Sequence, residues 1–157
     1  MHQALEIIFV IVGVLAIGFW WEARRRKSLE AWVLQRPGAR FLSPVVLDEH
    51  AGVPLAEMVD ALMGRLPMGW AGAVQIAEAE GELWLAEFRT TLPGDESTSW
   101  LTLIARRCLD ERAALACLDS MQRLQPDVPT RMLGRWVYQR RKGLITVAVL
   151  DSIVRSH

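Results

Sequence analysis

The stretch AVQIAEAEGELWLAEFRTT, Ala73–Thr91, decides the fold class. Ala73–Ala77 and Leu83–Thr91 alternate with a two-residue period, and the intervening Glu78–Glu82 turn contains Gly81, which tolerates positive φ. This is the signature of a β-hairpin. Downstream, Trp100–Cys108 (WLTLIARRC) alternates in the same way, with Leu101, Leu103 and Ala105 on one face and Trp100, Thr102, Ile104 and Arg106 on the other. Arg135–Arg141 (RWVYQRR) reads as a further strand, and Pro44–Leu47 as a short first one. Two amphipathic helices interrupt the strands. One starts at Pro54, carries Leu55, Met58 or Val59, Leu62 and Leu66, and stops at Pro67. The other is capped by Asp110, carries Ala114, Cys117 or Leu118, Met121 and Leu124, and ends before Pro126 and Pro129. Leu144–Arg155 is rich in β-branched residues, yet Ile145, Val149 and Ile153 share a helical face, and a helix capped by Thr146 is the preferred reading. The order β-α-β-β-β-α-β plus a terminal element gives an α+β fold, an antiparallel sheet with its helices packed on one face.

Ahead of this domain, Ile7–Trp21 (IIFVIVGVLAIGFWW) runs without a polar side chain into Glu22 and the cluster Arg24-Arg25-Arg26-Lys27. Fifteen such residues span roughly 22 Å of helix, enough for a short transmembrane segment. Trp20 and Trp21 sit where an aromatic belt lies, and the basic cluster puts the C-terminal side in the cytoplasm and the N-terminus outside. A cleavable signal peptide is disfavoured, because the preceding MHQALE has an acid and no base. The chain thus divides into a single transmembrane anchor over residues 1–23, a basic juxtamembrane linker over 24–40 and a cytoplasmic α+β domain over 41–157. The last is long enough for one core and too short for two.

The 157 residues carry no net charge, but the charge is unevenly spread. Residues 41–100 hold ten acids against Arg65 and Arg89, a net of −8, whereas 131–157 hold six bases against Asp151, a net of +5. A continuous basic groove for nucleic acid is therefore not expected, and Arg140-Arg141-Lys142 reads as a solvated hairpin tip. Cys108 and Cys117 lack metal-ligand or disulfide spacing and read as reduced thiols. His50, beside Asp48 and Glu49, is the one histidine placed to act, and a solvated turn before a helix explains it better than a metal site. No phosphate cradle or nucleophile with a base is present in the sequence, so neither catalysis, cofactor nor metal is expected.

Both faces of the central strands are partly apolar. With helices on one face only, the other is left as an exposed apolar surface, the usual mark of a binding site. Trp84, Ala86 and Phe88 on one strand and Trp100, Thr102 and Ile104 on the next are the candidate partner-binding residues. Trp20, Trp21, Arg24, Arg25, Arg26 and Lys27 are the candidate membrane-interface residues.

The anchor IIFVIVGVLAIGFW with its basic run, the Leu92-Pro93-Gly94 turn after a strand, and Gln139-Arg140-Arg141 followed by Leu144 and Leu150 together resemble the ZipA family of bacterial cell-division proteins. The resemblance covers about a quarter of the chain. It implies a protein of the bacterial inner membrane whose open sheet face binds the C-terminal tail of the division polymer FtsZ, without catalysis. The sequence departs from that family in two places: the long linker is reduced to about 15 residues, and Ala73–Ala77 stands where the family has Phe-His-Arg. A small structural or assembly subunit of an unrelated inner-membrane complex is the alternative expectation.

Overall fold

The computed structural model describes residues 2–44, 47, 53–79, 81–92, 94 and 97–155. The fold is α+β. Helix α1 (His2–Leu34) is followed by β1 (Ala39–Leu42), α2 (Leu55–Met63), β2 (Gly69–Glu78), β3 (Gly81–Thr91), β4 (Thr98–Cys108), α3 (Glu111–Leu124), β5 (Thr130–Leu133), β6 (Trp136–Lys142) and α4 (Val147–Arg155). The six strands form one antiparallel sheet in the order β1-β2-β3-β4-β6-β5.

Local chemistry explains these boundaries. The β2–β3 hairpin turns at Gly81, whose φ is +150° and where a Cβ would fall 1.9 Å from the Arg107 carbonyl oxygen of the neighbouring strand. Only glycine fits there. Helix α2 ends earlier than Pro67, because Gly64 adopts a left-handed conformation and its N–H donates to the Asp60 carbonyl at 2.7 Å. Asp110 caps α3 by accepting the Ala113 N–H at 2.7 Å. Thr146 does the same for α4, accepting the Val149 N–H at 3.3 Å.

Two expectations about local structure change. The first strand lies at Ala39–Leu42, whereas the strand read at Pro44–Leu47 falls on a stretch in which residues 45 and 46 are outside those described. The short edge strand β5 adds a second hairpin through Gly134.

The helices do not share one face. On one side of the sheet, Met58 and Val59 of α2 pack on Trp84, Phe88, Leu101, Leu103 and Tyr138. On the other, Leu29, Trp32 and Val33 of α1 and Val149 and Leu150 of α4 pack on Val74, Leu83, Leu85 and Ile104. Helix α3 sits further along that second side, with Ala114 against Val137. The physical reason is the two-sided apolar pattern of β3 and β4, whose two faces are both buried against helices.

The same packing revises the division at residue 40. Helix α1 continues unbroken through the basic cluster, about 50 Å in all, so 24–34 is helix and not a linker. Residues 7–21 of it are apolar and exposed, and the helix is long and apolar enough to cross a membrane. Its second half supplies core side chains to the domain.

Candidate functional site

The six residues expected to line an open face lie on opposite sides of the sheet. The β3–β4 register pairs Trp84 with Ala105, Ala86 with Leu103 and Phe88 with Leu101, while Trp100 pairs with Arg89, Thr102 with Glu87 and Ile104 with Leu85. Side chains opposite one another share a face. Trp84, Ala86 and Phe88 are therefore core beneath α2, and Thr102 and Ile104 are buried on the α1 side. Trp100 alone of the six is exposed. No common groove joins them.

Of the basic cluster, Arg24, Arg26 and Lys27 are exposed, but Arg25 is 8% exposed and is tied into the domain. All five of its N–H groups have acceptors. Nε and Nη2 donate to the Glu22 carboxylate at 2.8 Å each, Nη2 also donates to Glu87 Oε2 at 3.1 Å, and Nη1 donates to Glu87 Oε1 and to the Ile145 carbonyl at 2.7 Å. Glu87, 2% exposed, also accepts the Ile145 N–H at 2.6 Å. A guanidinium paired this fully is the geometry in which a buried arginine is tolerated. Further along, Trp32 Nε1–H donates to Asp151 Oδ1 at 2.9 Å and Arg36 donates to the same oxygen at 3.1 Å while stacking 4.3 Å above the Trp32 ring. The Trp32 hydrogen bond, with the charges of Arg155 and Arg36, holds the Asp151 carboxyl below the usual carboxylate range. Helix α1 is thus clamped to the domain at two levels. Trp20 and Trp21, just outside, lie under Arg24 at 5.3 Å and Arg25 at 5.9 Å.

A cleft of about 560 Å³ lies between α3 and α4 over β4 and β6. Its walls are apolar, formed by Leu83, Ile104, Met121, Leu124, Val137 and Ile153, and its rim is basic, formed by Arg106, Arg140, Arg141 and Lys142. Among the described residues no carboxylate lines it. Arg106 reaches it while donating to Glu78 at 3.0 Å. Such a site suits a segment that is apolar in the middle and acidic at its edges. Cys108 on β4 and Cys117 on α3 do not line the cleft but pack beside its wall with Val137, and Cys117 Sγ contacts Met121 Sδ at 3.8 Å. Burial, reinforced by Cys117, pushes the Cys108 thiol up to about 11. His50, with Asp48 and Glu49, lies outside the described residues.

Comparison with protein-family models, curated proteins and solved structures finds no match to this chain. Sequence reasoning missed the cleft because its residues come from five elements. The Ile104 and Val137 faces and the α3 stripe each looked like core, and only the topology shows that α3 and α4 leave a gap between them.

Proposed function

We propose that the chain is a membrane-tethered binding module of the bacterial inner membrane, with its N-terminus outside and its domain in the cytoplasm, and that its α3–α4 cleft captures a segment of a cytoplasmic partner. The observation that carries this reading is the continuity of α1, one helix that is bare and apolar over residues 7–21 and built into the core of a cleft-bearing domain in its second half. Orientation follows from the exposed Arg24, Arg26 and Lys27 on the domain side of the apolar run. The basic rim and apolar walls favour an extended or helical segment with acidic flanks. The C-terminal tail of FtsZ is the specific partner suggested by the resemblance to ZipA, although the site is this cleft and not an open sheet face.

The test uses the full-length protein in lipid nanodiscs and a fluorescently labelled FtsZ tail peptide. Binding should weaken about tenfold or more in Met121→Ala and in Arg140→Glu. Binding that both changes leave untouched would refute the cleft. An absence of binding would remove FtsZ as partner. A reporter active only in the cytoplasm, fused to the C-terminus, should be active, and an inactive one would reverse the topology.

A further inference from the structure

We propose that the end of the sheet nearest the apolar half of α1 is a second membrane contact, a surface that receives the headgroups of anionic phospholipid. This rests on α1 crossing the bilayer. The geometry begins with Arg25, which is held by Glu87 of β3. From there α1 advances about 12 Å to Val33. Beyond Val33 the chain turns, with the Arg36 N–H on the Val33 carbonyl and the Ala39 N–H on the Arg36 carbonyl, and β1 pairs Ala39 with Ile76, which in turn pairs with Leu83. Glu87 to Leu83 is about 13 Å of strand. Helix and strand therefore run antiparallel over matched lengths. The strand end beyond Glu87 points the same way as the apolar half of α1.

Two residue pairs past Glu87 and Thr102 stands the pair Arg89–Trp100. Two strand residues advance about 7 Å, the rise of four to five residues of helix, which brings this pair level with Trp20 and Trp21. Other segments converge on the same row. The Met68 N–H donates to the Arg89 carbonyl at 2.8 Å, the Gly143 N–H donates to the Trp100 carbonyl at 3.1 Å, and Arg65 donates to the Thr91 hydroxyl.

The composition of this end is unusual for a solvated rim. Leu66 is 63% exposed, Met68 60% and Trp100 39%, and beside them Arg65 and Arg89 are exposed. The nearest carboxylates on α1 and β3, Glu22 and Glu87, are both occupied by Arg25. Among the described residues, Arg24, Arg65, Arg89 and Lys142 are exposed bases at this end of the sheet. Large apolar side chains interleaved with arginines, level with an aromatic pair on the anchor, are what a peripheral contact with an anionic leaflet needs. The tryptophan and the two aliphatic tips enter the headgroup region while the guanidinium groups meet phosphates.

The test is hydrogen exchange, read by mass spectrometry, of the full-length protein in phosphatidylcholine nanodiscs with and without phosphatidylglycerol. Amides over 64–70 and 97–101 should exchange more slowly when phosphatidylglycerol is present, by about fivefold for each arginine that meets a lipid headgroup. The double variant Arg65→Glu, Arg89→Glu should abolish that difference. Neither residue lines the cleft, so partner binding in the same discs should be unchanged. Segment 5–21 reports on the anchor in the same data. If it is protected but 64–70 and 97–101 exchange equally in both lipids, the lipid surface is refuted while the anchor stands. Protection of those two segments that appears only when a protein partner is added would likewise refute it, by making the rim a protein contact. Free exchange of 5–21 would overturn both readings.

Discussion

Replacing Glu87 with glutamine should destabilise the domain more than any other single polar change in it. The glutamine keeps the size of the side chain but removes the charge, and its amide nitrogen is a donor where the carboxylate had an acceptor. Arg25 Nη1, Arg25 Nη2 and the Ile145 N–H then compete for one remaining oxygen, and a guanidinium 8% exposed loses one of its two carboxylates. Breaking a buried pair from one side costs about 3 to 5 kcal/mol. For a chain of this size that corresponds to roughly 6 to 20 °C in Tm. The double variant Arg25→Met, Glu87→Met removes both charges and should recover most of the loss, since apolar replacement of a whole buried pair is often near neutral. The measurement is thermal unfolding of the full-length protein in detergent, followed by tryptophan fluorescence, as a double-mutant cycle. A Glu87→Gln variant within about 1 kcal/mol of the parent protein would refute the view that this pair holds α1 to the sheet.

Removal of residues 1–40 should prevent folding, whereas a fragment beginning at Glu22 should melt cooperatively. Leu29, Trp32 and Val33 together contribute about 5 to 9 kcal/mol by burial, comparable to the whole stability of a domain. Circular dichroism of the two fragments distinguishes these outcomes. Gly81→Ala should cost more than about 3 kcal/mol, because the Cβ meets the Arg107 carbonyl oxygen in a backbone conformation already unfavourable for alanine, and chemical denaturation measures it. Cys108 should alkylate slowly at pH 8, with a thiolate fraction roughly a hundredfold below that of an ordinary cysteine, as mass spectrometry with iodoacetamide can establish. Its raised pKa also means that the unfolded chain ionises first, so its contribution to stability falls as pH rises from about 9 to about 11. For Asp151 the sign is opposite: its pKa is depressed in the folded state, so the stability it contributes is present above the ordinary carboxylate range and is lost as pH falls through the folded value. Asp151→Asn should flatten that acid limb.

The hairpin, both crossover helices and the terminal helix were legible because each depends on local signals: alternation around Gly81, Asp110 at one N-cap, and Thr146 at another ahead of Val149 and Ile153. The candidate site was not legible, and the reason is register. The connection over 92–97 does not dictate which residue of β4 faces Arg89, and a shift of one position exchanges the two faces of the strand. With Trp100 opposite Arg89, Trp84 and Trp100 point to opposite sides. The end of α1 was misplaced for a different reason. The run Arg24–Lys27 reads as the stop of an anchor, and this masks the spacing of Leu29, Trp32 and Val33, which marks a second, core-facing stripe on the same helix. That stripe also accounts for the two-sided apolar pattern of β3 and β4. An apolar second face predicts either exposure or another cover, and α1 together with α4 is the cover.

A helix shared between anchor and core changes how the proposed module would work. A flexible tether gives a binding site long reach but no fixed orientation. Here Arg25 and Trp32 fasten the helix at two heights, so the cleft keeps one direction and one distance relative to the apolar segment. Ile104 and Val137 in its wall lie four to five residues along their strands from the rim at Trp100 and Lys142, about 13 to 17 Å. A partner segment must then come to the bilayer surface to be bound. In return the cleft arrives already oriented, and less rotational freedom is lost on binding. Releasing the second of these fastenings while leaving the cleft intact, with Trp32→Phe and Arg36→Ala together, should therefore leave affinity for a free peptide within about twofold. The same change should weaken recruitment of a partner confined to the membrane surface, and equal loss in both assays would show that the clamp serves folding alone.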